Sequence, residues 1–257
     1  MFAELALYLL SAGHLAGHRN GRLEASVGLW SRGRRCRTAW APHEAATKAA
    51  ILQSVQRLQR RRSVAVLGSG VLRDVPLAEL SAAFRSVVLV DVVHLLPARL
   101  AARRHGNVFC VTADLSGLTG LSEGHLDLVS PLAVLEAIDD LDLVVSVNLL
   151  SQLGLGMIRV VEAHPGADET EDLPAKVVGL HLAALRAVGR SVCLVTDTDC
   201  EVQNRSGMVV EQENLLRGHR LPAPADAWNW EVAPFGEEAR DLRRVHRVEA
   251  HPFFSGW

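Results

Sequence analysis

Apolar and polar positions alternate along the chain in two regimes. Up to residue 62 the apolar positions recur with helical spacing. Phe2, Leu5, Leu9 and Leu10 mark a first amphipathic stretch, and Ile51, Leu52, Val55 and Leu58 form one face of a helix predicted over 43–62, with Gln and Arg on the other face. Between them, residues 32–37 (RGRRCR) read as a short cationic loop flanked by Trp30 and Trp40. From residue 63 the regime changes. Short β-branched apolar runs at 63–68, 86–91, 107–114, 142–150 and 190–199 are separated by helical patterns at 76–84, 95–104, 131–140 and 173–189. Short buried strands alternating with helices specify βαβ units and a parallel sheet covered on both faces. The tail departs from this. Residues 228–236 and 243–253 read as two strands around a charged turn, with no intervening helix, so an antiparallel pair at a sheet edge is expected.

The expected architecture is therefore α/β: a Rossmann-like, mostly parallel seven-stranded sheet with helices on both faces, a C-terminal antiparallel hairpin and a helical N-terminal cap. Residues 1–62 form the cap and 63–257 the core of one domain. A length of 257 residues suits one large domain, and 49% hydrophobic with 22% charged residues excludes a disordered or fibrous chain. The acidic stretch 164–174 reads as a solvated connection.

Charge and cysteines narrow the setting. A formal net charge of −2 argues against a surface given over to phosphate, so nucleic acid is not the expected partner; the arginines of 32–37 read as a lid or a contact to an acidic small substrate. Cys36, Cys110, Cys193 and Cys200 are far apart with no Cys-x-x-Cys pair, which fits a reduced, cytoplasmic protein. The N-terminal apolar stretch carries Glu4 and no preceding Lys or Arg, unlike a signal peptide, and no run reaches the ~18 apolar residues of a membrane span. The apolar and basic N-terminal helices offer a surface for a homodimer. No metal-ligand spacing stands out.

The chemistry concentrates at 64–77. Gly68-Ser69-Gly70 follows a buried strand and precedes a helix, where glycine allows a tight turn and close approach of a ligand to the backbone. Asp91 ends the second strand, about 20 residues further on, where an acid is placed to accept the hydroxyls of a ribose. As a bland alternative it is a helix N-cap. Asp114 closes the third strand in the same way, and Asn148 stands at the mouth of the fourth, on the edge where open α/β sheets bind ligands.

On these residues, VAVLGSGVL, VVLVD, VTADL and DLVVSVNLLSQL in that order, the chain resembles the class I S-adenosylmethionine-dependent methyltransferases over residues 43–253. The resemblance implies S-adenosyl-L-methionine as cofactor and methyl transfer by in-line displacement to a small-molecule acceptor. It implies that Gly68, Ser69 and Gly70 line the methionine portion, Asp91 with Val92 holds the ribose, Asp114 with Leu115 borders the adenine, and Asn148 lies near the transferred methyl group. Two departures accompany it. Leu72 stands where the family usually has a third glycine, and the fourth strand lacks the Asn-Pro-Pro-Tyr type of signature found in many enzymes that methylate nucleic-acid or protein amino groups.

His43, His94, His164, His246 and His251 are candidate general bases. His43 is favoured because the N-terminal segment has to fold over the open strand ends. His43 and Trp230 are the expected substrate-side contacts, although Trp228 and Trp230, on one face of a strand, are also read as core. Two other classes compete. A nicotinamide-dependent oxidoreductase shares the glycine turn and the acid, but its sixth motif position is Arg73 here. A non-catalytic binding or scaffold protein would keep the fold without turnover.

Overall fold

Two helices of the N-terminal segment enter first: α1 (Arg22–Arg35) and α2 (Arg37–Gln56), joined only by the turn at Cys36. The structure, a computed structural model, describes Glu4, Leu7, Tyr8, Ser11 and residues 21–119, 127–163 and 172–254. The residues expected to be a cationic loop, 32–37, are therefore the end of one helix and the start of the next. Arg32, Arg34 and Arg35 lie in the last turn of α1, where the carbonyl end of the helix favours positive charge. The helix expected over 43–62 starts six residues earlier, continues through Pro42 and stops at Gln56. Its buried face, Trp40, His43, Thr47, Ala50, Ile51, Ser54 and Val55, follows a helical stripe. Phe2, Leu5, Leu9, Leu10, His164 and most of the acidic connection lie outside the described residues.

The core alternates as the sequence predicts: β1 (Ser63–Leu67), α3 (Leu77–Ala83), β2 (Ser86–Asp91), α4 (Leu96–Ala102), β3 (Val108–Thr112), β4 (Leu141–Val147), α5 (Leu150–Ala163), α6 (Leu173–Ala187) and β5 (Ser191–Asn204). The segment at 131–140 holds only a short 3₁₀ helix, Ala133–Ala137, in place of the expected α-helix. After β5 come β6 (Val209–Asn214), β7 (Asp226–Ala233) and β8 (Leu242–His251). The sheet path is β3-β2-β1-β4-β5-β8-β7. Strands β1 to β5 run parallel, and β8 is antiparallel to both β5 and β7. This seven-strand path with a reversed hairpin at its edge is the Rossmann-like arrangement expected from the sequence. An eighth strand, β6, adds to the expected seven by pairing antiparallel with the far half of β5.

Strands buried on both faces explain the continuous apolar runs: every residue of β1 is buried. One face, with Val64, Val66, Val145 and Val147, packs on Ile51 and Val55 of α2 and Leu77 and Leu80 around α3. The other, with Ala65, Leu67, Val144 and Leu194, packs on Leu150 of α5 and on Val178, Leu182 and Leu185 of α6. The cap is thus part of the core, because α2 covers the sheet beneath the β7–β8 hairpin through Trp40, whose indole donates to the Val232 carbonyl at 3.0 Å.

Candidate functional site

Register places the predicted residues at one edge. Leu67 pairs with Val90 on β2 and with Ser146 on β4, and Asp91 pairs with Thr112 on β3. Gly68, Asp91, Asp114 and Asn148 therefore all lie at or just beyond the carboxyl ends of adjacent parallel strands, the general ligand-binding edge of such sheets.

The glycine turn is built on left-handed backbone. Gly68 has φ 70° and Gly70 φ 50°. A Cβ on Gly68 would stand 3.0 Å from Leu149 Cβ and 3.1 Å from the Val147 carbonyl oxygen, so β1 and β4 close together here only over glycine. Leu72, at the position of the usual third glycine, also has φ 61°. The chain keeps the left-handed conformation there without the residue that adopts it freely, at a cost of about 1–2 kcal/mol. Ser69 is buried, and its hydroxyl has no protein partner.

Asp91 is tied to this turn. Its Oδ2 accepts the Gly70 N–H at 2.7 Å, and Oδ1 accepts the Val93 N–H at 3.4 Å. Burial pushes its carboxyl up, and the Gly70 N–H offsets part of that. Val92, beside it, packs against the cluster of Leu23, Val27 and Leu95 beneath α1. Asp114 accepts from Arg22 of α1 at 2.6 Å and from the Ser116 N–H at 2.9 Å. Burial works against its charge, but these two donors prevail and hold it below the usual carboxylate range. Leu115 is buried among Leu132, Leu135 and Leu182 in the second core.

Asn148 and His43 meet. Asn148 has φ 47°, and with its amide nitrogen toward Asp74 that nitrogen lies 2.7 Å from Asp74 Oδ2 and 3.1 Å from His43 Nε2. Its other amide atom is buried with no partner. The indole of Trp228 donates to His43 Nδ1 at 3.1 Å, and Trp230 stacks on the imidazole with centroids 4.0 Å apart and an interplanar angle of 6°. Burial pushes His43 down to about 4, so it is neutral at pH 7. Both of its nitrogens are engaged, Nδ1 by the Trp228 indole and Nε2 by the Asn148 amide. Trp230 is at once core and platform: it packs edge-on with Trp40 at 5.1 Å.

The other candidate bases have separate duties. His94 holds the Val111 carbonyl with Nε2 at 3.0 Å. His251 is buried and pushed down to about 4. His246 Nδ1 lies 2.7 Å from Asp197 Oδ2, and Asp197 Oδ1 accepts from Ser151 at 2.6 Å. Burial disfavours both charges, but the pair overcomes it: His246 rises to about 9 and Asp197 is held low. Neither Asp74 nor Asp197 was singled out from sequence. The one available signal was their position, Asp74 six residues after Gly68 and Asp197 at the end of the fifth apolar run.

No family profile matches the chain, and no curated protein matches it. Solved structures do resemble it. One is the 1,6-didemethyltoxoflavin-N1-methyltransferase of Burkholderia thailandensis, with bound 1,6-didemethyltoxoflavin and S-adenosylhomocysteine. It is 20% identical, with 91% of each chain covered and a TM-score of 0.41. A second is the N-methyltransferase NodS of Bradyrhizobium japonicum, in complex with S-adenosylhomocysteine. It is 10% identical, with 82% of this chain and 87% of that one covered and a TM-score of 0.41. A third is an rRNA methylase of Streptococcus thermophilus, 14% identical, with 78% and 94% covered and a TM-score of 0.35. The fold assignment stands on the strand order itself.

Proposed function

We propose that this protein binds S-adenosylmethionine at the Gly68–Asp91 edge and transfers its methyl group to a small-molecule acceptor. The observation that carries the reading is the joint between turn and acid: Asp91 at the tip of β2 accepts the N–H of Gly70 at the tip of β1, within one βαβ unit. A carboxylate held this way retains acceptor sites for the two hydroxyls of a ribose. The residues present fit such a cofactor. The left-handed turn leaves no side chain at Gly68 and Gly70, the Ser69 hydroxyl lacks a protein partner, and Asp114, held by Arg22 and the Ser116 N–H, lies at the same edge, where an adenine amino group would compete with Arg22 for it.

When bound, the cofactor supplies an electrophilic methyl carbon on a sulfonium; the chain's part is alignment and exclusion of water. Asn148 at the end of β4 borders the reacting region, and α1 and α2 cover it. A small acceptor is favoured over nucleic acid because several arginines of the basic clusters are internally neutralised. Arg32 and Arg35 pair with Glu237 and Glu238, Arg62 with Asp140 and Asp142, and Arg244 with Glu238.

The test is calorimetric titration with S-adenosylmethionine, S-adenosylhomocysteine and NAD(H), on the wild type and on Asp91→Ala. Micromolar binding of the adenosyl ligands, weakened at least tenfold in the variant, is expected. Binding of NAD(H) alone would overturn the reading.

A further inference from the structure

The hydrogen positions around Asn148 are over-determined, and they contradict the obvious assignment. An indole N–H only donates, so His43 Nδ1, 3.1 Å from Trp228 Nε1, carries a lone pair. A neutral imidazole that accepts at Nδ1 bears its proton at Nε2. That Nε2–H points at one amide atom of Asn148, 3.1 Å away, which must therefore be an acceptor, the oxygen. The amide oxygen and nitrogen exchange places by a half-turn of the side chain, so nothing opposes this. The same atom lies 2.7 Å from Asp74 Oδ2. Two oxygens at that distance share a hydrogen, and an amide oxygen has none to give.

We propose that Asp74 keeps its carboxyl proton and donates it to the Asn148 carbonyl, so that a protonated carboxyl and the Nε2–H of His43 together fix the Asn148 side chain at the carboxyl end of β4. Asn148 is only 7% exposed, and the amide atom facing away from Asp74 and His43 is buried with no protein partner, so the orientation of the amide is set by Asp74 and His43.

The charges facing Asp74 are consistent. Desolvation pushes its carboxyl up, and Glu44 on α2 adds to this. Lys48, also on α2, acts in the opposite sense, while Arg73 on Asp74's own loop is spent on Glu44 at 2.6 Å.

The arrangement can be tested on the unliganded protein, independently of methyl transfer. Neutron diffraction is expected to place deuterium on Asp74 Oδ2 and on His43 Nε2; deuterium on His43 Nδ1, or an ionised Asp74 at pH 6, would overturn the arrangement. In solution, the melting temperature of Asp74→Asn relative to wild type is expected to rise between pH 4.5 and 7.5, because only the wild type must hold a proton that its unfolded chain has released. A difference that is flat, or falls with pH, would overturn the proposal.

Discussion

Arg22 reaches Asp114 at 2.6 Å, so the first residue of α1 rests on the carboxylate that follows β3. Cap and ligand edge are joined through this contact. Both side chains are about one-third exposed, so the pair adds no more than about 1 kcal/mol to stability. Arg22→Ala is expected to leave urea unfolding nearly unchanged and to tighten S-adenosylhomocysteine binding about threefold, since Asp114 is then free for the adenine amino group. Titration calorimetry reads this directly; unchanged or weaker binding would place adenine away from Asp114.

Trp40 supports the platform under His43. It is 4% exposed, bonded to Val232 and packed edge-on to Trp230. Trp40→Ala is expected to cost about 3–5 kcal/mol in denaturant unfolding, the usual range for an aromatic core truncation. It should also disturb the Trp228 indole signal that reports the His43 bond.

The Asp197–His246 pair sets the alkaline side of the stability profile. A histidine raised from its ordinary value to about 9 contributes fully below about pH 6.5 and loses that contribution as pH rises through 9. The shift corresponds to about 3 kcal/mol. His246→Gln is therefore expected to be markedly less stable than wild type at pH 6, with the gap closing towards pH 9.5. A gap independent of pH would mean that the pair is not ionic.

Acid has a separate effect. His43, His181 and His251 are buried and pushed down to about 4, so the unfolded chain binds more protons than the folded one between about pH 4 and 6.5. Stability is expected to fall as pH drops through that window. His181→Phe should flatten the fall measurably in thermal melts, because His181 is fully buried.

Local patterns made most of the fold readable, and long-range pairing accounts for what they missed. Four of the five parallel strands were visible because burial on both faces writes unbroken apolar runs; the edge strand β3 carries such a run although Phe109, Cys110 and Thr112 are exposed. The helix α5 was hidden by Gly154 and Gly156, which lower helix propensity. Gly154 stands where a Cβ would lie 3.4 Å from Val178 of α6, so the small residue serves close packing of two helices. Strand β6 was hidden because Val209 and Val210 are both exposed and show no alternation; only the overlong β5 calls it into the sheet. At the site, the glycine turn and Asp91 were legible because they share one βαβ unit. Asp74 and Asp197, and the pairings of Trp228 with His43 and of His246 with Asp197, were not, since the partners of Asp74, Trp228 and His246 lie 74, 185 and 49 residues away. Leu72 gave no sign of its left-handed backbone, since leucine carries none.

The irregularity in β5 has a consequence for the face that lines this region. On β8, Arg247 pairs with Asp199 and Val248 with Asp197, which leaves Thr198 as an extra residue. In a regular strand Asp197 and Cys200 would point to opposite sides. Because cross-strand partners share a face, Asp197 opposite Val248 and Cys200 opposite His246 both emerge on the side of His246. One inserted residue thus switches the odd–even phase of the strand between its parallel half and its antiparallel half. Deleting Thr198 would restore the phase, turn Cys200 and Val202 outward, and strand the imidazolium of His246 between two strands that no longer agree on which way is in.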